Sequence, residues 1–316
     1  MSTMVTGGCG LVGSFIMRYL VERKVPAVAF DINLKTELLT DLLTKIHLVK
    51  GDAAVFPELL RAVQDFKVDR IIHTASFLTP GTMARPYVAV PMNILSTLNV
   101  LEIARLGTVK RVVFTSTGKT PFVGERYAKS CRSGKLDLGP DPYVSSKMAN
   151  ELLCNDYRKL YDLDVVIARF NAHIYGPGFS FAGGIGQLLQ QSIEAIVNGK
   201  PGHIEKENRR ASIQTMIYAR DAARGAMLCS QVEKLEDWVF DIVGPEQRSL
   251  PEIAELLCQI VPGARIDVTP TDERGGPTPP NARAAEQLGY VPAYDMRRGF
   301  TEYIDFLRTG KLPEML

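Results

Sequence analysis

The stretch TGGCGLVG, residues 6–13, holds four glycines in eight positions. A strand is predicted just before it, over Thr3–Thr6, and a helix follows over Leu11–Arg23. The glycines fit two spacings at once, Gly8-x-Gly10-x-x-Gly13 and Gly7-x-x-Gly10-x-x-Gly13. Either spacing alone is weak, because glycine clusters are more often ordinary turns. The strand on one side and the helix on the other make the pattern informative.

Apolar runs alternate with helical patterns through the first half of the chain. Further strands are predicted at Ala27–Asp31, Ile46–Lys50, Arg70–Thr74, Arg111–Ser116 and Asp164–Phe170. Further helices are predicted at Phe56–Phe66, Tyr87–Leu106 and Tyr143–Tyr161. Runs such as RIIH and VVIA are continuous rather than alternating, which is typical of strands buried on both faces. We therefore predict an α/β fold of the Rossmann type, a doubly wound parallel sheet with helices on both faces.

The regular alternation of predicted strands and helices becomes less clear after YGPG, residues 175–178. This change predicts two regions: a dinucleotide-binding domain over residues 1–175, and a smaller C-terminal substrate-binding lobe over residues 176–316. Segments of the lobe are expected to be interwoven back onto the first domain.

The composition indicates which kinds of partner and which cellular compartment are to be expected. The 316 residues carry a formal charge of only +2, so neither nucleic acid nor a membrane surface is indicated. Five scattered cysteines without a C-x-x-C pair suit a reducing compartment, and the four histidines lack metal-ligand spacing, so we expect no metal. We expect no signal peptide, and no apolar run in the sequence approaches membrane length. We expect a cytoplasmic protein that acts on a small molecule.

The glycine loop and one acid together predict a dinucleotide site. Bare backbone N–H groups at a helix N-terminus can face a pyrophosphate, and any Cβ in the loop would hold the phosphates away. Asp31 ends the second predicted strand, where a carboxylate can accept both hydroxyls of an adenosine ribose. The same charge repels a 2′-phosphate, and the next cation is Lys35. The predicted cofactor is NAD rather than NADP.

A second group of residues predicts what the cofactor does. Tyr143 and Lys147 are four apart on a predicted helix, so both project from one face. A free tyrosine is a poor base because its pKa is near 10, but a neighbouring ammonium and a positive nicotinamide ring favour the phenolate. Thr115, Ser116 and Thr117 cluster at the carboxyl end of a predicted strand, the edge where such sheets bind ligands. The pattern predicts hydride and proton transfer at a carbon–oxygen bond.

With these motifs together, the chain resembles the extended short-chain dehydrogenase/reductase superfamily, in particular its NAD-dependent epimerase/dehydratase family. The matching segments, besides the glycine loop, are GDAA, HTAS, PMNILSTLNVLEIA, TST, YVSSK, YGPG and the C-terminal AAEQLGYVPAYDMRRGFTEYIDFLR.

The resemblance implies roles for individual residues. It assigns cofactor contacts to Gly7, Gly10, Leu11 and Val12 at the pyrophosphate, Asp31 at the ribose, Asp52 and Ala53 beside the adenine, Thr74, Ala75 and Ser76 in the middle, and Asn93, Thr115, Tyr143 and Lys147. It makes Thr117, Tyr143 and Lys147 the catalytic set, with Thr117 preferred to Ser116 although GKTPFVG, residues 118–124, looks two residues longer than the usual loop. Thr117, Asn171 and His173 are candidates for binding substrate.

Departures from the family pattern bear on the substrate. Dehydratases carry an Asp-Glu pair after the active-site Thr, but here Gly118 and Lys119 follow. The Arg that epimerases use to hold a diphosphate is replaced by Gln214, although Arg209 and Arg210 lie close by. His173 stands where Asn is usual, and it is either packed under the lobe or used to orient substrate.

These departures favour an NAD-dependent dehydrogenase that acts on a secondary alcohol or ketone, such as a sugar or sugar acid. The alternative is a nucleotide-sugar epimerase of the UDP-hexose type that retains its NAD. A noncatalytic NAD-sensing protein is a third possibility, disfavoured because both Tyr143 and Lys147 are present. The helices Tyr87–Leu106 and Tyr143–Tyr161 resemble the pair that family members bury in a homodimer.

Overall fold

A seven-stranded parallel sheet forms the centre of the protein, whose computed structural model describes residues 2–107, 109–134, 138–178, 184–204, 213–268 and 282–312. Its strands, in chain order, are β1 (Ser2–Thr6), β2 (Ala27–Asp31), β3 (His47–Lys50), β4 (Val68–His73), β5 (Arg111–Thr117), β6 (Val165–Phe170) and, further along the chain, β10 (Val239–Ile242). In space the order is β10-β6-β5-β4-β1-β2-β3, and each neighbouring pair is parallel. The predicted Rossmann-type sheet is confirmed.

Helices cover both faces of this sheet. The N-terminal helices are α1 (Leu11–Glu22), α2 (Phe56–Asp65), α3 (Thr79–Ala84), α4 (Pro86–Leu106), α5 (Lys119–Ser133) and α6 (Pro142–Tyr161), with a short 3₁₀ turn at Thr40–Leu42. The later helices are α7 (Gly184–Val197), α8 (Ala219–Gln231), α9 (Leu250–Ile260), α10 (Ala282–Leu288) and α11 (Met296–Thr309).

Successive residues of each strand serve opposite faces, as the pleat requires. Val5 and Val113 pack with α1 and α8 in one core, whereas Met4 and Phe114 pack with α4 and α6 in the other. Both cores are fully enclosed, which explains why these strands read as continuous apolar runs.

The C-terminal half forms a third core and also completes the first two. Two small sheets, β7 (His173–Tyr175) with β9 (Ile213–Tyr218) and β11 (Gln247–Ser249), and β8 (Gly202–Ile204) with β12 (Ile266–Val268), pack with α7, α9 and α11. In contrast, α8 packs against α1, and β10 extends the large sheet by pairing with β6.

Two helices of the N-terminal half were not predicted. The sequence predicts a lengthened loop at residues 118–124, but α5 begins at Lys119 and ends before Gly134, which adopts φ +69°. Pro121 lies in the first turn, where its missing N–H costs no hydrogen bond. The apolar signal is weak, because Thr120 is the one buried residue of α5. The short helix α3 was also missed.

Among the described residues, α4 is long and apolar enough to span a membrane by length and composition, unlike the expectation from the sequence. Half of its most apolar window is buried inside the protein, where α4 packs against α6. A buried core helix gives the same signal.

Candidate active site

The glycine loop packs closely against β1, α1 and the end of β4. Gly7 has φ +71°, and its N–H donates to the carbonyl of Phe30 at 2.8 Å. A Cβ on Gly7 would lie 2.8 Å from Thr74 Oγ1, and one on Gly13 would lie 2.1 Å from Gly7 O. These positions require glycine, because a side chain would overlap neighbouring atoms of the protein. The loop leads into the N-terminus of α1, where a phosphate group can be bound.

The first turn of α1 supplies donors for that group. The helix begins at Leu11 with Gly10 as its N-cap, and the cap has no side-chain hydrogen bond. The N–H groups of Leu11 and Val12 have no helical partner, because an α-helix leaves its first N–H groups unpaired. They are the donors that a pyrophosphate would use.

Asp31 borders this loop. Its Oδ2 accepts the N–H of Cys9 at 3.0 Å, and its Oδ1 accepts the N–H of Asn33 at 3.0 Å. The two bonds fix the carboxylate at the loop, and each oxygen keeps a further acceptor position for a ribose hydroxyl.

The segment after β3 forms a turn that is fixed by its own side chains. Asp52 Oδ1 accepts the N–H of Ala54 at 2.8 Å, and the Asp52 N–H donates to Glu58 Oε2 at 2.9 Å. Asn99 from α4 donates to the carbonyl of Ala53 at 3.0 Å. This turn lies at the carboxyl edge of the sheet, where the resemblance expects the adenine.

The segment after β4 is held by a buried amide. Asn93 Oδ1 accepts the N–H of Phe77 at 2.7 Å, while Nδ2 donates to Phe77 O at 3.0 Å and to Ser146 Oγ at 3.1 Å. Both amide protons are thus used within the protein. Asn93 shapes the cleft along Ala75 and Ser76, and its side chain has no donor left for a cofactor.

Thr74 is also engaged inside the protein. Its Oγ1 donates to Thr6 O at 2.8 Å, next to the glycine loop. Thr74 therefore links the end of β4 to the start of the glycine loop.

Lys147 is buried beneath the carboxyl edge of the sheet. Its Nζ donates to Thr115 O at 2.9 Å and lies 4.8 Å from the ring centroid of Phe114 and 5.7 Å from that of Tyr143. Thr115 Oγ1 donates to His73 O at 2.9 Å, which fixes the strand that carries this carbonyl. The ammonium is held by backbone and aromatic faces.

Burial and charge set the protonation of the pair. Burial lowers the pKa of Lys147 to about 8, a change that the negative charge of Glu151 opposes. Burial raises the pKa of the Tyr143 phenol, and the carboxylate of Asp141 raises it further. Without cofactor the phenol is therefore held protonated. A positive nicotinamide ring beside it acts in the opposite direction, which suits a tyrosine that must lose its proton only in the loaded enzyme.

The two hydroxyl side chains at the end of β5 differ in whether their proton is already used in a hydrogen bond within the protein. Ser116 is 2% exposed, and its Oγ donates to Glu151 Oε1 at 2.6 Å. Thr117 is half-buried, and its Oγ1 accepts the N–H of Lys119 at 3.4 Å. The Thr117 hydroxyl keeps its proton available for a ligand, which supports Thr117 over Ser116.

Asn171 and His173 lie beyond β6. Asn171 Nδ2 donates to Asp241 Oδ1, so this side chain joins β6 to β10. His173 is exposed on β7, paired in register with Met216 of β9. Of the two alternatives for His173, packing under the lobe is wrong, because its side chain reaches solvent. Its role in orienting substrate stays a prediction.

The residue at the position where the resemblance expects a diphosphate-binding Arg is neutral and buried. Gln214, on β9, is 5% exposed and pairs in register with Arg248 of β11. Arg209 and Arg210, the suggested substitutes, lie outside the described residues.

Sequence reasoning missed two carboxylates beside the Tyr143–Lys147 pair. Asp141 caps α6 by accepting the N–H of Val144 at 3.2 Å, and it contacts Lys119 Nζ at 3.2 Å. Glu151 continues the i, i+4 series of Tyr143 and Lys147. The Asp-Pro pair before the helix and this spacing were the signals that could have found them.

Within the described ranges, no group of three or more His, Cys, Asp or Glu side chains could hold a metal ion. All five cysteines are free.

The glycine loop, its bordering acid and the Tyr143–Lys147 pair define an NAD-binding enzyme of the Rossmann type. Residues 3–239 match the model of the NAD dependent epimerase/dehydratase family, and the chain belongs to that family. NAD is its cofactor, in agreement with the prediction.

Three similar proteins show how the family members compare. The UDP-glucose 4-epimerase of Mycolicibacterium smegmatis is 33% identical over 98% of this chain and 99% of its own. The Thermus thermophilus UDP-glucose 4-epimerase in complex with NAD superposes with a TM-score of 0.78 and 22% identity, covering 98% of this chain and 99% of that one. A partial consensus L-threonine 3-dehydrogenase gives 0.77 with the same identity and coverage. The fold is thus shared by an epimerase and a dehydrogenase.

Proposed function

We propose that the protein is a nucleotide-sugar epimerase that inverts one carbinol centre of its substrate and retains its NAD. The observation that supports the redox step is the hydrogen bond from Lys147 Nζ to Thr115 O, at 2.9 Å, beneath the ring of Tyr143. The whole-length similarity to a UDP-glucose 4-epimerase supports the choice of epimerase. The preference for a dehydrogenase that the sequence suggested has no support from the relatives.

The proposed roles follow from the geometry. Thr117 donates its hydroxyl proton to the substrate oxygen, and Tyr143 removes the proton from that same oxygen. Lys147 stabilises the phenolate and, through Thr115, is fixed to the strand that carries Thr117. Bound NAD supplies the acceptor, and later the donor, of the hydride. Tyr143 then returns the proton after the sugar has presented its other face.

A dehydrogenase remains the second candidate because of one observation. Gln214 is buried and neutral at the position where epimerases of this family carry a diphosphate-binding Arg. A substrate without a diphosphate would need no cation there.

One experiment separates the candidates. Purified protein is denatured to release and quantify bound NAD, and native protein is incubated with UDP-glucose, UDP-glucuronate and a panel of free sugars and sugar acids. An epimerase gives isomerised UDP-sugar by NMR with no net NADH in the absorbance spectrum. Stoichiometric NADH from a free sugar or alcohol, dependent on added NAD, would instead establish the dehydrogenase. NAD binding without any turnover would revive the noncatalytic alternative.

We also propose that the protein is a cytoplasmic homodimer. Exposed apolar side chains on α4 and α6, Tyr87, Leu95, Leu152 and Leu160 among them, support this arrangement. Light scattering in solution would report a mass of twice 34.9 kDa. A monomer at micromolar concentration would contradict the proposal.

A further inference from the structure

The carboxylate of Glu151, on the same helix as Tyr143 and Lys147, lies within hydrogen-bond distance of four donor atoms. Glu151 Oε1 accepts from Ser116 Oγ at 2.6 Å, from Thr120 Oγ1 at 2.9 Å and from Arg169 Nε at 2.9 Å, and Oε2 accepts from Arg169 Nη2 at 2.6 Å. The side chains of Glu151 and Arg169 are 12% and 22% exposed. This enclosed, bidentate arrangement fixes the carboxylate in one position.

The partners of Glu151 surround Thr117 in the chain and in space. Ser116 precedes it at the end of β5, and Thr120 lies in the first turn of α5. The Thr120 hydroxyl is 3.0 Å from Thr117 O and 2.9 Å from Glu151 Oε1, so its proton can bond to either acceptor. Arg169 pairs in register with Ser116 across β5 and β6. The end of β5, the start of α5 and β6 are therefore joined through one carboxylate on α6.

The same helix carries the rest of the chemistry. Tyr143, Lys147 and Glu151 are spaced four residues apart, so their side chains lie along one face of α6. Tyr143 and Lys147 would act at the substrate and cofactor, while Glu151 reaches one turn further to the strand end that bears Thr117. A change at Glu151 thus alters the placement of Thr117 relative to Tyr143.

We propose that Glu151 is a positioning residue that fixes Thr117 opposite Tyr143, so that both hydroxyls meet the same substrate oxygen. This proposal rests on the proposed hydride-transfer function. A buried ion pair by itself is weak grounds for a role in stability, because apolar residues often replace one without loss. The connection to the two hydroxyl side chains beside Thr117 is what indicates a role in catalysis.

The negative charge of Glu151 also supports the reaction by acting on Lys147. It lies near the buried ammonium of Lys147 and opposes the fall in the Lys147 pKa that burial causes. Glu151 therefore also helps Lys147 to stay charged while it stabilises the phenolate.

The test compares Glu151→Gln with Glu302→Gln in holoenzyme. Glu302 is a matched control, because it accepts from Tyr218 Oη and from buried Arg220 Nε, each at 2.6 Å, in the C-terminal lobe. We expect Glu151→Gln to lower kcat at least about tenfold with KM and bound NAD nearly unchanged, and Glu302→Gln to leave kcat within about twofold.

A double-mutant cycle with Thr117→Val distinguishes positioning from general stability. If Glu151 acts mainly through Thr117, Glu151→Gln lowers kcat much less in the Thr117→Val background than in the wild type, and the small loss that remains there is its effect on the charge of Lys147. The same tenfold loss in both backgrounds would overturn the proposal. If Glu151→Gln does not fold, Thr120→Val replaces it, since this change removes the bridging hydroxyl and keeps the side-chain shape.

A readout without turnover separates this proposal from the proposed function. Amide hydrogen exchange of a peptide covering residues 117–122 should become at least about tenfold faster in Glu151→Gln holoenzyme, while Glu302→Gln leaves it unchanged. If the wild-type protein turns over no substrate but this difference is seen, the proposed function fails and the structural role of Glu151 stands without its catalytic part. Unchanged exchange would overturn the positioning role itself.

Discussion

The side-chain amide of Asn171 occupies the space that a side chain on Gly118 would need. A Cβ built on Gly118 would lie 1.0 Å from Asn171 Oδ1, and Asn171 is in turn bonded to Asp241 of β10. Any side chain at the residue after Thr117 therefore requires Asn171 to leave its present position. The position of Asn171 thus gives a steric reason why the Asp-Glu pair of dehydratases is absent after Thr117.

Gly118→Ala should destabilise the protein by about 1–3 kcal/mol, because the new methyl must displace Asn171 from Asp241. Gly124→Ala is the matched control, since it lies within α5 with nothing within 4 Å of its Cβ position. It should be stabilising by about 0.5–1 kcal/mol. Chemical denaturation measures both. Equal effects of the two substitutions would show that Asn171 moves without cost.

Tyr143→Phe should lower turnover by at least about 100-fold, because it removes the hydroxyl proposed as the general acid–base. Bound NAD, measured after denaturation, should stay close to the wild-type amount. Tyr127→Phe removes a hydroxyl from an exposed tyrosine on α5 and should leave turnover unchanged. Near-normal activity of Tyr143→Phe would refute the assignment of the base.

The buried Lys147 predicts a pH dependence of stability in protein stripped of cofactor. The pKa of Lys147 is about 8 in the folded protein and 10.5 in the reference state. Between these values the unfolded chain holds a proton that the folded protein has released, so the folded state gains stability as pH rises. Relative to Lys147→Met, the wild-type free energy of unfolding should increase by about 3 kcal/mol across this pH range. Urea titrations at both ends of the range measure this difference, and a constant difference would contradict it.

His73 predicts a loss of stability in acid. It is 1% exposed, and its ring nitrogens lie 2.6 Å from Thr6 Oγ1 and 3.3 Å from Thr97 Oγ1. Burial, with the charge of Lys147, lowers its pKa from 6.5 to about 3. Below the unfolded pKa the unfolded chain takes up a proton that the folded protein refuses, which costs up to about 1.4 kcal/mol per pH unit.

The check is a comparison of wild type with His73→Gln in urea between about pH 5 and pH 7.5, a range that spans the ordinary histidine pKa. Glutamine does not titrate, so the two free energies of unfolding should converge as pH falls. Parallel curves would show that another group causes the acid sensitivity.

The sequence predicted the parts of the site that depend on local patterns. The glycine loop and the Tyr143–Lys147 spacing are readable because a strand–loop–helix unit and one helix face are each set within a few residues. The contacts of Glu151 were not readable, since Ser116 and Arg169 meet it only through strand pairing and helix packing across the chain. The exposed helix α5 was missed because it buries almost nothing, and propensity alone gives little signal there.

The choice between epimerase and dehydrogenase could not be made from the same patterns. Both chemistries need the same base, the same cation and the same cofactor cradle, so Tyr143 and Lys147 do not distinguish them. Single positions such as Gln214 suggested a substrate without a diphosphate, whereas the similarity along the whole chain favours a sugar nucleotide. Substrate specificity depends on a few side-chain contacts that differ between proteins of the same fold.

The pairing of β10 with β6 has a consequence for biosynthesis. A nascent chain that has emerged only to Tyr175 presents β6 as an open edge, and such edges are templates for misassembly with other chains. β6 gains its neighbour only once β10 has been synthesised, so the early and late parts of the chain must fold together. A fragment of residues 1–175 should therefore aggregate on size-exclusion chromatography, whereas the full chain elutes as a defined species.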